Sequence, residues 1–331
     1  MVGWHLLLLL LAEMSLYGSV ARHVHNEHGW SVGGALALAI SIYVSVRIVL
    51  IAAEFVLARW QGPAIPDVLR VSPLQLTVMY LRELGGWLLM FGSVMPFVLA
   101  RRSVVDRPRI DTATLPLLLV HGLACNRGNW FWFRRQLERR GYTVYTVDYT
   151  PPFARIANYV SPLARAIDEV LEATSAQQLI LIGHSMGGLV SRAYLDRFGF
   201  DKVAHVITMG TPHLGTWMAR LGVGPNVHDM TIDSPWLAAL HEREAARSAD
   251  PYSRFSCIFT YHDNLVTPQT NATLPGAVRI PLSGIGHLSL VLSSRVVNAV
   301  LRVVAQVQQG TDCGRACPKS HWIPAFAGMT G

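Results

Sequence analysis

The segment Gly183-His184-Ser185-Met186-Gly187 follows the apolar run Gln178 to Ile182 and leads into a helix-forming stretch. It therefore predicts a β-strand, a tight turn and an α-helix in immediate succession. A serine at such a turn has its hydroxyl thrust out of the sheet, and the crowding leaves no room for side chains at Gly183 and Gly187. Ser185 is the candidate nucleophile. The plainer alternative is a glycine-rich β-to-α turn carrying a solvated serine, and the rest of the chain must discriminate between the two.

An acid and a base are expected later in the chain, in that order, on loops after later strands. Arg254 to Tyr261 reads as a buried strand ending in His262-Asp263-Asn264-Leu265-Val266-Thr267-Pro268, which puts Asp263 at a strand's C-terminal end, where open α/β sheets carry their working groups. The next apolar run, Ala277 to Leu282, leads to Ser283-Gly284-Ile285-Gly286-His287, ahead of a helical stretch from Leu288 to Val307. In this reading His287 takes the proton of Ser185 and Asp263 orients the imidazole. The bland readings are Asp263 as a turn cap and His262 as a rival base, with Asp229 and Asp233 as reserve acids.

Attack by a serine also needs N–H donors for the developing oxyanion, and losing one costs about 3 kcal/mol of barrier. The backbone of Met186 offers one. The loop His121-Gly122-Leu123-Ala124-Cys125-Asn126, after the apolar run Leu115 to Val120, offers the other through Leu123. His121 itself reads as a loop-packing residue.

At this point the chain resembles the α/β-hydrolase superfamily, and within it the bacterial lipases and esterases. The resemblance rests on five ordered motifs: Leu117 to Leu123, Gly183 to Gly188, Thr208-Met-Gly-Thr-Pro-His213-Leu-Gly215, Asp263 to Pro268, and Gly286-His287. It spans roughly Leu115 to Val307. What it implies is acyl ester chemistry rather than the aspartate-nucleophile branches, because the elbow carries serine. The same reading makes the fold class α/β, a mostly parallel sheet with helices on both faces. The alternation of Tyr142 to Tyr149, Ala157 to Thr174 and Val203 to Met209 agrees with it.

The domain expectation is a hydrophobic N-terminal region over 1–105 with two or three membrane helices, a catalytic domain over 110–309, and a disordered tail over 310–331. Within the catalytic domain, 214–250 is a candidate lid or cap, lined by Trp217, Met218, Leu221, Trp236 and Leu237, or else ordinary packing helices. The candidate spans are Val2 to Ala21, Val32 to Ala58 and Leu84 to Ala100, since about 20 apolar residues cross a bilayer. A secretory signal is the rival for the first, and a hydrophobic cap on the catalytic domain is the rival for all three. Charges inside spans need partners, and Glu13 with Arg47 is one such pairing.

Composition agrees: the 331 residues are 51% hydrophobic and 15% charged, oily for a soluble hydrolase. The net charge of +7 includes Arg101, Arg102, Arg107 and Arg109 after the third expected span, which suits anionic lipid; no nucleic-acid signature is present. Sidedness in a bacterial inner membrane tilts slightly toward a cytoplasmic catalytic domain. Cys125 and Cys257 are far apart in sequence, and Cys313 with Cys317 is a lone pair, so neither a metal, a cofactor nor a disulfide framework is implied. The end, Ser320 to Gly331, resembles a translated genomic repeat, and Trp322 and Phe326 carry no functional weight.

The expectation is thus a membrane-anchored serine hydrolase of carboxylic, lipidic esters whose partners are substrate and membrane lipid. An acyltransferase sharing the acyl-enzyme and a non-catalytic membrane scaffold are the alternatives, and the oligomeric state is left open.

Overall fold

The structure is a computed structural model that describes residues 2–99 and 114–312. The basic run at Arg101 to Arg109, the cysteines at 313 and 317, and the terminal Trp322 and Phe326 lie outside the described residues.

Six short strands form one parallel sheet in the order β2-β1-β3-β4-β5-β6. They are β1 (Leu117–Val120), β2 (Val144–Val147), β3 (Leu179–His184), β4 (Val203–Met209), β5 (Phe255–Thr260) and β6 (Val278–Leu282). Strands β1, β2, β3 and β5 are buried along their whole length, which is why they read as unbroken apolar runs rather than alternating ones. One face is covered by α5 (Val160–Thr174) and α6 (Met186–Phe198), the other by α4 (Phe133–Glu138) and α9 (Ser294–Asp312). Helix α5 buries Leu163, Ala166, Ile167 and Val170 while Asp168 and Glu169 stay exposed, an apolar stripe at helical spacing.

The stretch 214–250 folds as a 3-10 turn at Trp217–Leu221 followed by α7 (Pro225–Asp229) and α8 (Pro235–Arg247). It is tied down. Buried Asp229 accepts from Arg155 and from the Ile156 N–H, both at 2.9 Å, and Arg192 of α6 makes a buried ion pair with Glu244 of α8. Of the expected lining residues, Leu237 is buried in the core and Trp236 packs on it, whereas Leu221 is 59% exposed.

At the N-terminus, α1 (Val2–His28) and α2 (Val32–Gln61) pack on each other as a hairpin. Both are long and apolar enough to cross a bilayer. Ser31 caps α2, its hydroxyl accepting from the Gly34 N–H at 3.1 Å. Large apolar side chains face outward on both, among them Leu8, Ile40, Val49 and Val56. Glu13 and Arg47 pair between the helices, as their charges demand. Tyr17 accepts a further bond from Arg47, whose guanidinium lies 4.2 Å from the centre of the Tyr43 ring.

The third expected span is different. A capping box at Ser72 and Gln75 starts α3 (Pro73–Leu89) eleven residues before Leu84. The helix then gives way to a π turn at Met90–Val94 and a 3-10 turn at Met95–Phe97, where Pro96 lacks the N–H that an α-helix needs. Met90 and Met95 are fully buried in the same core as Trp130 and Phe133. Met90 and Met95 thus face the protein core, while Leu89 and Phe97 of the same segment are exposed.

Candidate active site

Ser185 stands between β3 and α6 with φ +55° and ψ −128°, a strained conformation for a residue with a side chain. Three close approaches enforce it. The Ser185 N–H donates to the Met209 carbonyl at 2.9 Å; a Cβ at Gly183 would lie 2.6 Å from the Gly188 nitrogen; and a Cβ at Gly187 would collide with the Val120 carbonyl oxygen. Glycines at these two positions are steric requirements of the turn.

The loop after β1 lies against this serine. A Cβ on Gly122 would be 2.9 Å from the Ser185 Cβ and 3.4 Å from its Oγ. Leu123 follows directly, and Met186 opens α6, where the first N–H groups have no partner within the helix. His121 is buried and stacks on Tyr149 with ring centroids 4.2 Å apart, in keeping with a packing role. Asp148 fastens the loop, accepting from the Arg127 N–H at 2.6 Å and from its guanidinium at 2.8 Å.

On the far side of the elbow, Asp263 and His287 come together. Both are nearly inaccessible, and His287 Nδ1 lies 3.0 and 2.9 Å from the two carboxylate oxygens. Asp263 Oδ1 also accepts from the N–H groups of Leu265 and Val266, at 2.9 and 2.7 Å. Burial pushes His287 downward, but the charge and hydrogen bond of Asp263, with the charges of Glu83 and Glu54, outweigh it and hold the imidazole above its ordinary value. Among the described residues no hydrogen bond joins the Ser185 hydroxyl to His287. The reserve acids lie elsewhere: Asp229 serves Arg155, and Asp233 pairs with Arg220. His262 accepts from the Gly284 N–H at 3.2 Å, and burial, with the Arg59 charge, lowers it to about 4.

Four further residues hold His287 in place, and the sequence did not single out any of them for that role. Asn264 Oδ1 accepts from the His287 N–H at 2.9 Å, while Asn264 Nδ2 donates to Glu54 at 2.8 Å. Glu83 binds the residues after His287. His184, whose ring centroid is 4.9 Å from that of His287, lies with Nε2 3.2 Å from the His287 carbonyl. Burial, with the nearby His287 charge, keeps His184 far below its usual value, so it is neutral and donates through Nε2.

The Thr-Pro-His element is structural. His213 Nε2 meets the Thr208 hydroxyl at 3.0 Å, and its carbonyl accepts from fully buried Arg192 at 2.8 Å. Between α2, α3 and the acid loop lies a cavity of about 540 Å³, walled by Phe55, Met79, Tyr80 and Tyr261 and reaching Asp263.

Known proteins share the fold of this region. The sequence profile described as the alpha/beta hydrolase fold matches residues 116–229. A triacylglycerol lipase of Pseudarthrobacter phenanthrenivorans is 34% identical over 119 residues, 31% of this chain and 35% of that protein. A triacylglycerol lipase of Burkholderia plantarii is also 34% identical over 119 residues, 31% of each. The chain spans about a third of the length of these curated relatives. Among solved structures, the mature Bacillus licheniformis lipase BlEst2 superposes with a TM-score of 0.50 at 21% identity, covering 62% of this chain and 95% of that one. Aspergillus fumigatus lipase B gives a TM-score of 0.50 at 18% identity, covering 68% of this chain and 65% of that one.

Proposed function

We propose that this chain, whose residues 116–229 match the alpha/beta hydrolase fold and resemble triacylglycerol lipases, is a membrane-anchored serine hydrolase that cleaves carboxylic esters of lipids through an acyl-enzyme on Ser185. The observation that carries this reading is the buried Asp263–His287 pair, whose histidine ring lies 4.9 Å from that of His184, the residue before a serine held at φ +55°.

In the first half-reaction His287 Nε2 takes the Ser185 proton as Oγ bonds to the ester carbonyl carbon, and the carbonyl oxygen becomes an oxyanion facing the Leu123 and Met186 N–H groups. Collapse breaks the ester C–O bond, and the His287 proton leaves with the alcohol. Water then attacks the acyl carbon, giving its proton to His287, and the second collapse releases the carboxylic acid and returns the proton to Ser185. No metal or cofactor is required by any step.

Two features favour a lipid substrate. The hairpin α1–α2 fits a membrane anchor, and the apolar cavity near Asp263 opens beside it. A two-span anchor puts the chain's start and the catalytic domain on the same side, together with Arg59, Arg70 and Arg82, against Arg22 near the hairpin tip. That bias favours the cytoplasmic face of a bacterial inner membrane. A topology reporter fused in the segment 100–113 reads the side directly.

The deciding experiment is labelling with a fluorophosphonate probe. Wild type is expected to label and Ser185→Ala is not; equal labelling of both ends the proposal. A series of p-nitrophenyl esters of increasing acyl length then reports chain preference, with activity on short chains alone pointing away from lipid.

A further inference from the structure

Two carboxylates cross from the N-terminal helices to the loops that hold the acid and the base. Glu83 of α3 is 1% exposed. Its Oε1 accepts from the Leu288 N–H at 2.7 Å, and its Oε2 from the Ser289 N–H at 2.9 Å and the Ser289 hydroxyl at 2.7 Å. These are the two residues that follow His287. On the other flank, a Cβ at Gly286 would lie 2.5 Å from Glu83 Oε2, so the chain is drawn onto the carboxylate from both sides of the histidine. The second link runs from Glu54 of α2 through Asn264 to the His287 N–H.

Burying a carboxylate is costly, and an apolar side chain would fill the same space more cheaply. Three well-aligned donors at this site offset that cost. They come from the start of the 3-10 turn Leu288–Leu292, where N–H groups have no partner within the turn. Without Glu83 these donors would turn toward other acceptors, and His287, one peptide away, would turn with them. We infer that Glu83 is a positioning residue for His287, so that α3 is part of the catalytic apparatus and not merely a support between anchor and enzyme. The inference rests on the proposed role of His287 as the base.

The test uses the full chain in detergent micelles: wild type, Glu83→Gln, Glu83→Ala and, as a control, Leu81→Ala at an exposed position of the same helix. Misplacing a reacting group by about 1 Å costs on the order of 100-fold, so Glu83→Ala is expected to lose about that much kcat with KM little changed. Glu83→Gln keeps one acceptor oxygen and recovers part of the loss; Leu81→Ala behaves as wild type. The groups facing His287 are Asp263, Glu83, Glu54 and His184. Burial raises the Glu83 carboxyl above its ordinary value, against the donors of Ser289 and Leu288; where it is ionised, its removal takes away one of the charges favouring imidazolium, so the acid limb of kcat/KM and the His287 titration followed by NMR both move to lower pH.

A folded Glu83→Gln with wild-type kcat and an unmoved titration overturns the inference. So does a loss confined to Tm and KM with the pH limb in place. If Glu83→Ala does not fold, Glu83→Gln decides. Absence of Ser185-dependent turnover in the wild type would be a failure of the proposed function instead, and the NMR titration would still report whether Glu83 governs the imidazole.

Discussion

His287 Nδ1 sits 2.9 Å from Asp263 Oδ2, with both side chains at most 3% exposed. Because Asp263 Oδ1 is already committed to the N–H groups of Leu265 and Val266, an asparagine at 263 would keep its oxygen there and turn its NH2 toward His287. The imidazole would then accept through Nδ1 and carry its proton on Nε2, the tautomer that cannot take a proton from serine. Asp263→Asn is expected to lower kcat about 10⁴-fold with the fold intact, measured by steady-state kinetics alongside a thermal melt.

The pH dependence has two opposite limbs with one origin. The base must be neutral, and its folded pKa is raised above the ordinary value of about 6.5. Activity is therefore expected to rise with pH through a midpoint above about 6.5. For stability, a raised folded pKa means that the pair's contribution is fully present below the unfolded pKa and is lost as pH rises through the folded one. A pH–rate profile and Tm recorded over the same window should move in opposite directions.

At the elbow, Gly187→Ala would drive a methyl group into the Val120 carbonyl and to within 2.7 Å of the His121 carbonyl. Both are backbone and cannot swing aside. Overpacking of this kind costs about 1–3 kcal/mol. Denaturant unfolding should register that loss, and Ser185 should label more slowly with the fluorophosphonate.

Much of the catalytic domain was legible because a parallel sheet buries both faces of its strands. β4 matches its apolar run, Val203 to Met209; β1, β2, β5 and β6 lie inside theirs, and β3 runs on past its own to His184. Asp263 and His287 were legible as a pair because each follows a strand end. Glu83 was not, since a single carboxylate on a helix gives no sign of which distant N–H groups it will meet. Asn264 was in view beside Asp263, but its two contacts, to His287 and to Glu54, join segments far apart in the chain. The apolar run Leu84 to Ala100 is not readable from hydropathy alone, which does not distinguish a surface facing lipid from one facing a protein core: Met90 and Met95 face the core, while Leu89 and Phe97 are exposed.

In the hairpin, Glu13→Leu would leave Arg47 with the Tyr17 hydroxyl at 3.4 Å and the Tyr43 and Trp87 rings as its remaining partners. An arginine in a membrane span costs about 2.5–3.5 kcal/mol on insertion scales. The single variant is expected to lower the melting temperature in detergent and the fraction inserted, and the double variant Glu13→Leu/Arg47→Leu to restore both. A double variant no better than the single would show that the ion pair is not what the hairpin needs.

The burial of Met90 and Met95 against Trp130 and Phe133 bears on any attempt to liberate a water-soluble enzyme by excision. A cut near residue 105 would strip two plugs from the interior and leave open sockets under the oxyanion loop, where Asn126 donates to the Met95 carbonyl at 2.9 Å. Trimming after the hairpin, between Gln61 and Ser72, removes the greasy helices while sparing α3 and those plugs, although it forfeits the Glu54 tether to the acid loop.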